Sequence, residues 1–146
     1  KEENTNAYIN LIKNLDIDIL GHTGSTRFEY DIDTVVKMAK EYKDINMLSL
    51  QELLNSNIHE ARALAIFIML LQVKKNPYEI SKLYLANLNN INNWDLIDYS
   101  APHIIAPYVD KNKLRELAQS DYLWANRVAM VSTIYYIKQN QHLTKL

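Results

Sequence analysis

The chain contains no cysteine, so disulfides, thiolate metal sites and a cysteine nucleophile are all excluded. The same absence fits a reducing compartment, and a cytoplasmic location is expected. Glycine and proline are scarce too, two and three in 146 residues, which leaves little material for the turns of hairpins or a barrel. Composition therefore argues for helices. No apolar run follows a basic start at the N-terminus, so no secretory signal is visible. The longest apolar run, 63–71, is too short to span a bilayer. Excess positive charge is also missing: the formal net charge of −1 is not the strongly basic balance of a nucleic-acid binder. His22, His59, His103 and His142 lack metal-ligand spacing. His59-Glu60 begins like a zinc-protease motif, but Ala63 stands where its second histidine belongs. No glycine-rich phosphate loop occurs, and Ser25 and Ser100 sit in no nucleophile elbow. No metal or cofactor is expected.

What is present is one chain long enough for a single domain with a sizeable core, and apolar residues at helical spacing along most of it. Charge is uneven. Asp16, Asp18, Glu29, Asp31 and Asp33 make the first third locally acidic, whereas Lys111, Lys113, Arg115, Arg127, Lys138 and Lys145 gather in the last. A local basic face is possible, a global one is not.

In order, Ala7, Tyr8, Leu11, Ile12 and Leu15 predict a first amphipathic helix over 5–15, and Gly21 and Gly24 mark a loop. A second helix over 33–43 starts at Asp31 or Asp33. Ser49 with Glu52 reads as a capping box opening a short helix to about 55. Asn57 with Glu60 opens the strongest helix, 58–75, apolar nearly all round its middle and so a buried spine. Asn76-Pro77-Tyr78-Glu79 supplies a cap, a proline at the first helical position and an acid in the first turn, opening a helix to about 90. The next helix starts at Asn93, is broken by Ser100 and Pro102, and continues briefly to 109. Asp110 caps a helix to 119, and Ser120 or Asp121 caps the last, to about 140. The residues after 142 look like the beginning of a further element that is cut off.

These helices fall into pairs: 5–15 with 33–43, 50–55 with 58–75, 77–90 with 93–108, and 111–119 with 121–139. The fold class expected is all-α, a HEAT-like α-solenoid of antiparallel helix pairs forming a single domain over 1–146, with an irregular helical bundle as the alternative.

The rest of the chain reads as a scaffold for residues 91–100, I-N-N-W-D-L-I-D-Y-S. Asn92 or Asn93 can cap this helix, and Asp95 in its first turn suits the helix dipole. Trp94 and Asp98 are four apart and share one face, while Leu96, Ile97, Ile104 and Ile105 supply apolar anchors on the other. The pair reads either as a packed core indole beside a solvated carboxylate or as a functional couple. In a solenoid the second helices of successive pairs line one surface, so Asp98 and the Arg127 of the last helix would project near each other beside Trp94. Trp124 reads as core, and Arg127 with Asp98 as a structural ion bridge or as part of a site. Tyr135 and Tyr136 beside Lys138 divide between core and surface.

Three segments together carry a resemblance: H-E-A-R-A-L-A at 59–65, I-N-N-W-D-L-I-D-Y-S-A at 91–101, and L-A-x-S-x-x-L-W-x-N-R-V-A-M-V at 117–131. Over about 57–140 the chain resembles the DNA alkylation repair family of HEAT-repeat DNA glycosylases, the AlkD-like proteins. The resemblance implies a superhelix that holds duplex DNA and hydrolyses the N-glycosidic bond of N3- or N7-alkylated purines. Trp94 would contact the deoxyribose at the lesion, Asp98 would be the catalytic carboxylate, and Arg127 would hold the DNA backbone. It also implies a partner, double-stranded DNA carrying alkylated purines, with no membrane and a monomeric enzyme. The acidic stretch G-H-T-G-S-T-R-F-E-Y-D stands where the family has a proline-containing segment before its second helix, and no DNA contact is expected from it. The family continues into further helix pairs, so the chain reads as a fragment or a reduced relative, with weaker DNA binding than a full-length member.

Overall fold

The structure, a computed structural model, describes residues 32–57 and 59–144, leaving aside the side chains of residues 32–34, 95 and 140–144. The expected first helix, the Gly21–Gly24 loop and the dipole role of the Asp95 side chain lie outside the described residues. Those described form seven helices and no strand: α1 (Ile32–Glu41), α2 (Met47–Leu54), α3 (His59–Gln72), α4 (Pro77–Ala86), α5 (Trp94–Ile104), α6 (Lys111–Ala118) and α7 (Leu123–Thr144). The chain divides into two compact units between Gln72 and Val73.

In the first unit α1 and α2 both pack on α3. The expected spine is α3: Ala61, Leu64, Ala65, Ile68 and Met69 are all buried, against Val35 and Ala39 of α1 and Leu50, Leu53 and Leu54 of α2. The cap of α2 is not Ser49. Asn46 holds that place, its side-chain oxygen accepting from the Ser49 amide at 2.8 Å. Asn46 and Ser49 are both good capping residues three apart, and with the earlier one as cap the helix gains three residues, nearly one turn. Gln72 ends α3 by donating to the carbonyls of Lys43 (2.7 Å) and Ile45 (2.9 Å), three residues short of the expected end.

In the second unit α4 packs on α5, α6 on α7, and the second helices of the two hairpins, α5 and α7, on each other. That is the stacking of helix pairs expected from the sequence. Pro77 opens α4 at the first helical position, although Asn76 makes no side-chain cap bond. The expected break of α5 does not occur, for the helix runs through Ser100 and Pro102 to Ile104. Proline removes one amide, the one that would reach the Asp98 carbonyl, and in the last turn this single loss is tolerated. Ser100 lies within the helix, its hydroxyl donating back to the Leu96 carbonyl one turn earlier. The same Ser100 Oγ lies 2.7 Å from the Tyr84 hydroxyl, which locks α5 onto α4 by a hydrogen bond in the core.

Asp110 caps α6 as its position suggests, accepting from the Lys113 amide at 2.8 Å. The carbonyls left over at the other end of α6 are taken by one side chain of α7. The two N–H groups of the Asn126 side-chain amide are shared among the carbonyls of Leu117 (3.0 Å) and Ala118 (3.2 Å), at the helix end, and of Ser120 (2.8 Å) in the turn. These bonds set the angle at which α7 leaves the turn. Helix α7 has 22 residues, about 33 Å at 1.5 Å per residue. Its buried face carries Ala125, Val128, Ala129 and Ser132, spaced i, i+3, i+4, i+7.

Candidate active site

Helix α5 presents Leu96, Ile97, Ala101 and Ile104 to the core, all buried, and these anchors turn the residues between them outward. Trp94 is consequently 54% exposed, so the indole is not a core residue. Asp98, one turn on, retains 44% of its side-chain surface. Helix α7 brings the other half of the site. With Ala125, Val128 and Ala129 facing inward, Leu123, Arg127 and Met130 share the opposite, open face at i, i+4, i+7.

The two faces meet. Arg127 Nε donates to Asp98 Oδ1 at 2.9 Å and Arg127 Nη2 to Asp98 Oδ2 at 2.7 Å, a bidentate fork in which each carboxylate oxygen receives one N–H. The same guanidinium lies over the Trp94 ring, with Cζ 4.5 Å from its centroid, within cation–π range. Trp124, read from the sequence as core, is half-buried and meets Trp94 at 5.8 Å between ring centroids and an interplanar angle of 83°, the edge-to-face geometry that aromatic quadrupoles favour. Trp94 is thus held by Trp124 and Arg127 together. A half-open pocket of about 170 Å³ adjoins them, lined by Trp94, Leu123, Trp124, Asn126, Arg127 and Met130.

The electrostatics follow from the fork. Hydrogen bonding to Asp98 holds the Arg127 guanidinium above its ordinary range, against a smaller opposing effect of burial. Beneath the site, burial pushes the Tyr84 hydroxyl well above the usual tyrosine range. The hydrogen bond with Ser100 opposes that rise and the charge of Asp98 adds to it. Tyr84 therefore senses the carboxylate and stays a neutral donor.

Sequence reasoning brought Trp94, Asp98 and Arg127 together correctly in space. It missed Trp124 as the support of Trp94, and Leu123 and Met130 as pocket walls, although their spacing from Arg127 was there to be read. The segment 59–65 belongs to the first unit. His59 and Glu60 are buried in the first unit, and Arg62 donates to the Ser56 carbonyl at 3.0 Å, closing the turn before α3. Among the described residues no group of three His, Cys, Asp or Glu is placed to hold a metal ion, and no helix is long and apolar enough to cross a membrane. Tyr136 donates to the Ala106 carbonyl, tying α7 to the turn after α5.

The family model described as DNA alkylation repair enzyme matches residues 30–146. The chain belongs to the DNA alkylation repair enzyme family. The match spans both units and contains every residue of the cluster. Curated relatives match over a much shorter stretch. A probable phosphatase of Clostridium acetobutylicum is 55% identical over 40 residues, 27% of this chain and 16% of that protein. A probable phosphatase of Vibrio parahaemolyticus is 48% identical over 42 residues, 29% of this chain and 17% of that protein. One of Caldanaerobacter subterraneus is 51% identical over 41 residues, 28% of this chain and 16% of that protein. The chain therefore spans about one-sixth of the length of these relatives. No solved structure matches. In this member of the DNA alkylation repair family the charge is divided unevenly along the chain. Residues 73–146 hold nine Lys and Arg against six Asp and Glu, a formal +3, while residues 1–72 hold seven against eleven, a formal −4.

Proposed function

We propose that this chain carries the site of a DNA glycosylase that hydrolyses the N-glycosidic bond of N3- or N7-alkylated purines in duplex DNA. The observation that carries the reading is the cluster of an exposed indole, a half-exposed carboxylate and a bidentate guanidinium on adjacent helices, open to solvent. An alkylated purine already bears a positive charge, so it leaves as a neutral base when the bond electrons pass to the ring, and no general acid is required. The sugar left behind has oxocarbenium character. Asp98 stabilises that cation and orients the water that attacks C1′, whose proton passes to the carboxylate and on to solvent. Trp94 lies against the deoxyribose and adds cation–π attraction. Arg127 clamps a backbone phosphate with the same fork it offers Asp98. No metal or cofactor enters the scheme, and the protein acts as a monomer on DNA in the cytoplasm.

The test is base release from methylated duplex DNA. Asp98→Asn is expected to lower release by at least a hundredfold, with duplex binding retained and the circular dichroism spectrum unchanged. Unaltered release in that variant removes Asp98 from the mechanism, and no release by the wild-type chain removes the glycosylase.

A second reading, a non-catalytic helical module that binds a protein partner, is favoured by one observation. From Met130 at the pocket wall, Ile134 and Ile137 continue the open face of α7, and all three are between 45 and 51% exposed. Loss of duplex binding on high-salt washing, together with no base release, is the outcome that supports it.

A further inference from the structure

Every feature that a cationic nucleotide would use in this site is already occupied by Arg127. Its fork takes one N–H bond to each oxygen of Asp98, and its guanidinium covers the face of Trp94. A second cation brought to the same carboxylate and the same ring would meet the first at like-charge distance. We infer that Arg127 is the resident counter-ion of its own site, and that a DNA phosphate opens the site by drawing the guanidinium off Asp98. The inference rests on the glycosylase reading for its substrate but not for its physics.

The exchange preserves hydrogen bonding, because a phosphate offers two oxygens to the same planar fork as a carboxylate does. It is also within reach energetically. The Arg127 side chain is 22% and that of Asp98 44% exposed; exposed ion pairs typically favour the closed form by a factor of up to about five, and the bidentate geometry puts this pair at the upper end of that range. The charge balance then depends on the base. When Arg127 moves to a phosphate beside an ordinary nucleotide, Asp98 is left as an unpaired anion next to a polyanion. Beside an alkylated purine, the positive base and the incipient sugar cation replace the guanidinium as partner of Asp98, and two ion pairs stand where one was broken. The exchange is complete only on a cationic lesion.

A double-mutant cycle on the full chain tests this, with equilibrium binding to an undamaged duplex as its readout. Asp98→Asn removes the competitor for Arg127 and is expected to tighten undamaged-duplex binding roughly two- to fivefold. In an Arg127→Ala background the same Asp98→Asn change is expected to gain clearly less, only what removing one negative charge near DNA gives. An equal gain in both backgrounds means that only a negative charge near DNA has been removed, and it overturns the exchange. No gain in either background, or no measurable duplex binding by the wild type, overturns it as well. Should Arg127→Ala not fold, Arg127→Gln serves as the background, since Gln keeps a polar group at the position without the charge. Because the cycle requires no catalysis, its failure is separate from failure of the glycosylase reading, which base release from methylated duplex measures alone.

Discussion

Trp94 illustrates how a single side chain separates two accounts of the same sequence. A core indole replaced by alanine costs about 3–5 kcal/mol through lost burial and cavity formation. Trp94 is more than half exposed, and its contacts are one edge-to-face ring and one guanidinium, worth about 0.5–1.5 and 0.5–1 kcal/mol respectively. Trp94→Ala is therefore expected to lower stability by about 1–2 kcal/mol in urea unfolding while lowering base release at least tenfold. A loss above about 3 kcal/mol would return Trp94 to the core and take the sugar contact away from it. The residues of the cluster were legible in the sequence because two rules converge on them: the i, i+4 spacing of Trp94 and Asp98, and the stacking of second helices that brings Arg127 opposite. The exposure of Trp94 was not legible. Residues 91–98 hold four apolar positions in eight, and which of them turns outward depends on the angle at which α5 meets α4 and α7. Trp124 was misassigned for the same reason, lying at the border between the buried and open faces of α7.

That angle is set at the level of the element by Tyr84, Ser100 and the Leu96 carbonyl, a chain of hydrogen bonds crossing from α4 into α5 beneath Asp98. Tyr84 is fully buried, and burial raises its pKa above the ordinary 10.0. For a group held protonated in the folded state, the stability it lends is fully present below the unfolded pKa and is lost as pH rises above it. The fold should thus lose stability above pH 10, by up to about 1.4 kcal/mol per pH unit from this one hydroxyl. Tyr84→Phe is expected to cost about 1 kcal/mol at pH 7 through the lost bond to Ser100, and to be the more stable protein at pH 11, as read by denaturant midpoints at the two pH values. Parallel alkaline profiles for the two proteins would show that the hydroxyl ionises in place. The helices were readable from spacing, and so was their pairing. Their limits were less so, because short polar turns hold several residues able to cap. Asn46 displaced Ser49, and Asn126 captured the end of α6 from nine residues away. Pro102 misled for a different reason: its cost depends on how many helical turns follow it, and only a fraction of one does.

For the whole molecule the uneven charge matters more than the total. A net −1 suggests indifference to DNA, yet it is the sum of a −4 stretch, residues 1–72, and a +3 stretch, residues 73–146, that carries the site. If duplex DNA is the partner proposed above, acids of the first stretch act on it through the long-range field, whose reach is about 30 Å at 0.01 M salt and about 8 Å at 0.15 M. Glu41 and Asp44 are exposed near the end of α1. Their joint replacement, Glu41→Gln with Asp44→Asn, is expected to strengthen duplex binding severalfold at 0.01 M salt by raising the association rate, and to leave it unchanged at 0.15 M. A gain that persists at 0.15 M would place these two acids against the DNA itself. A gain absent at both salt concentrations would mean that the duplex senses only residues 73–146, and the acidic third would then be electrostatically silent toward the substrate.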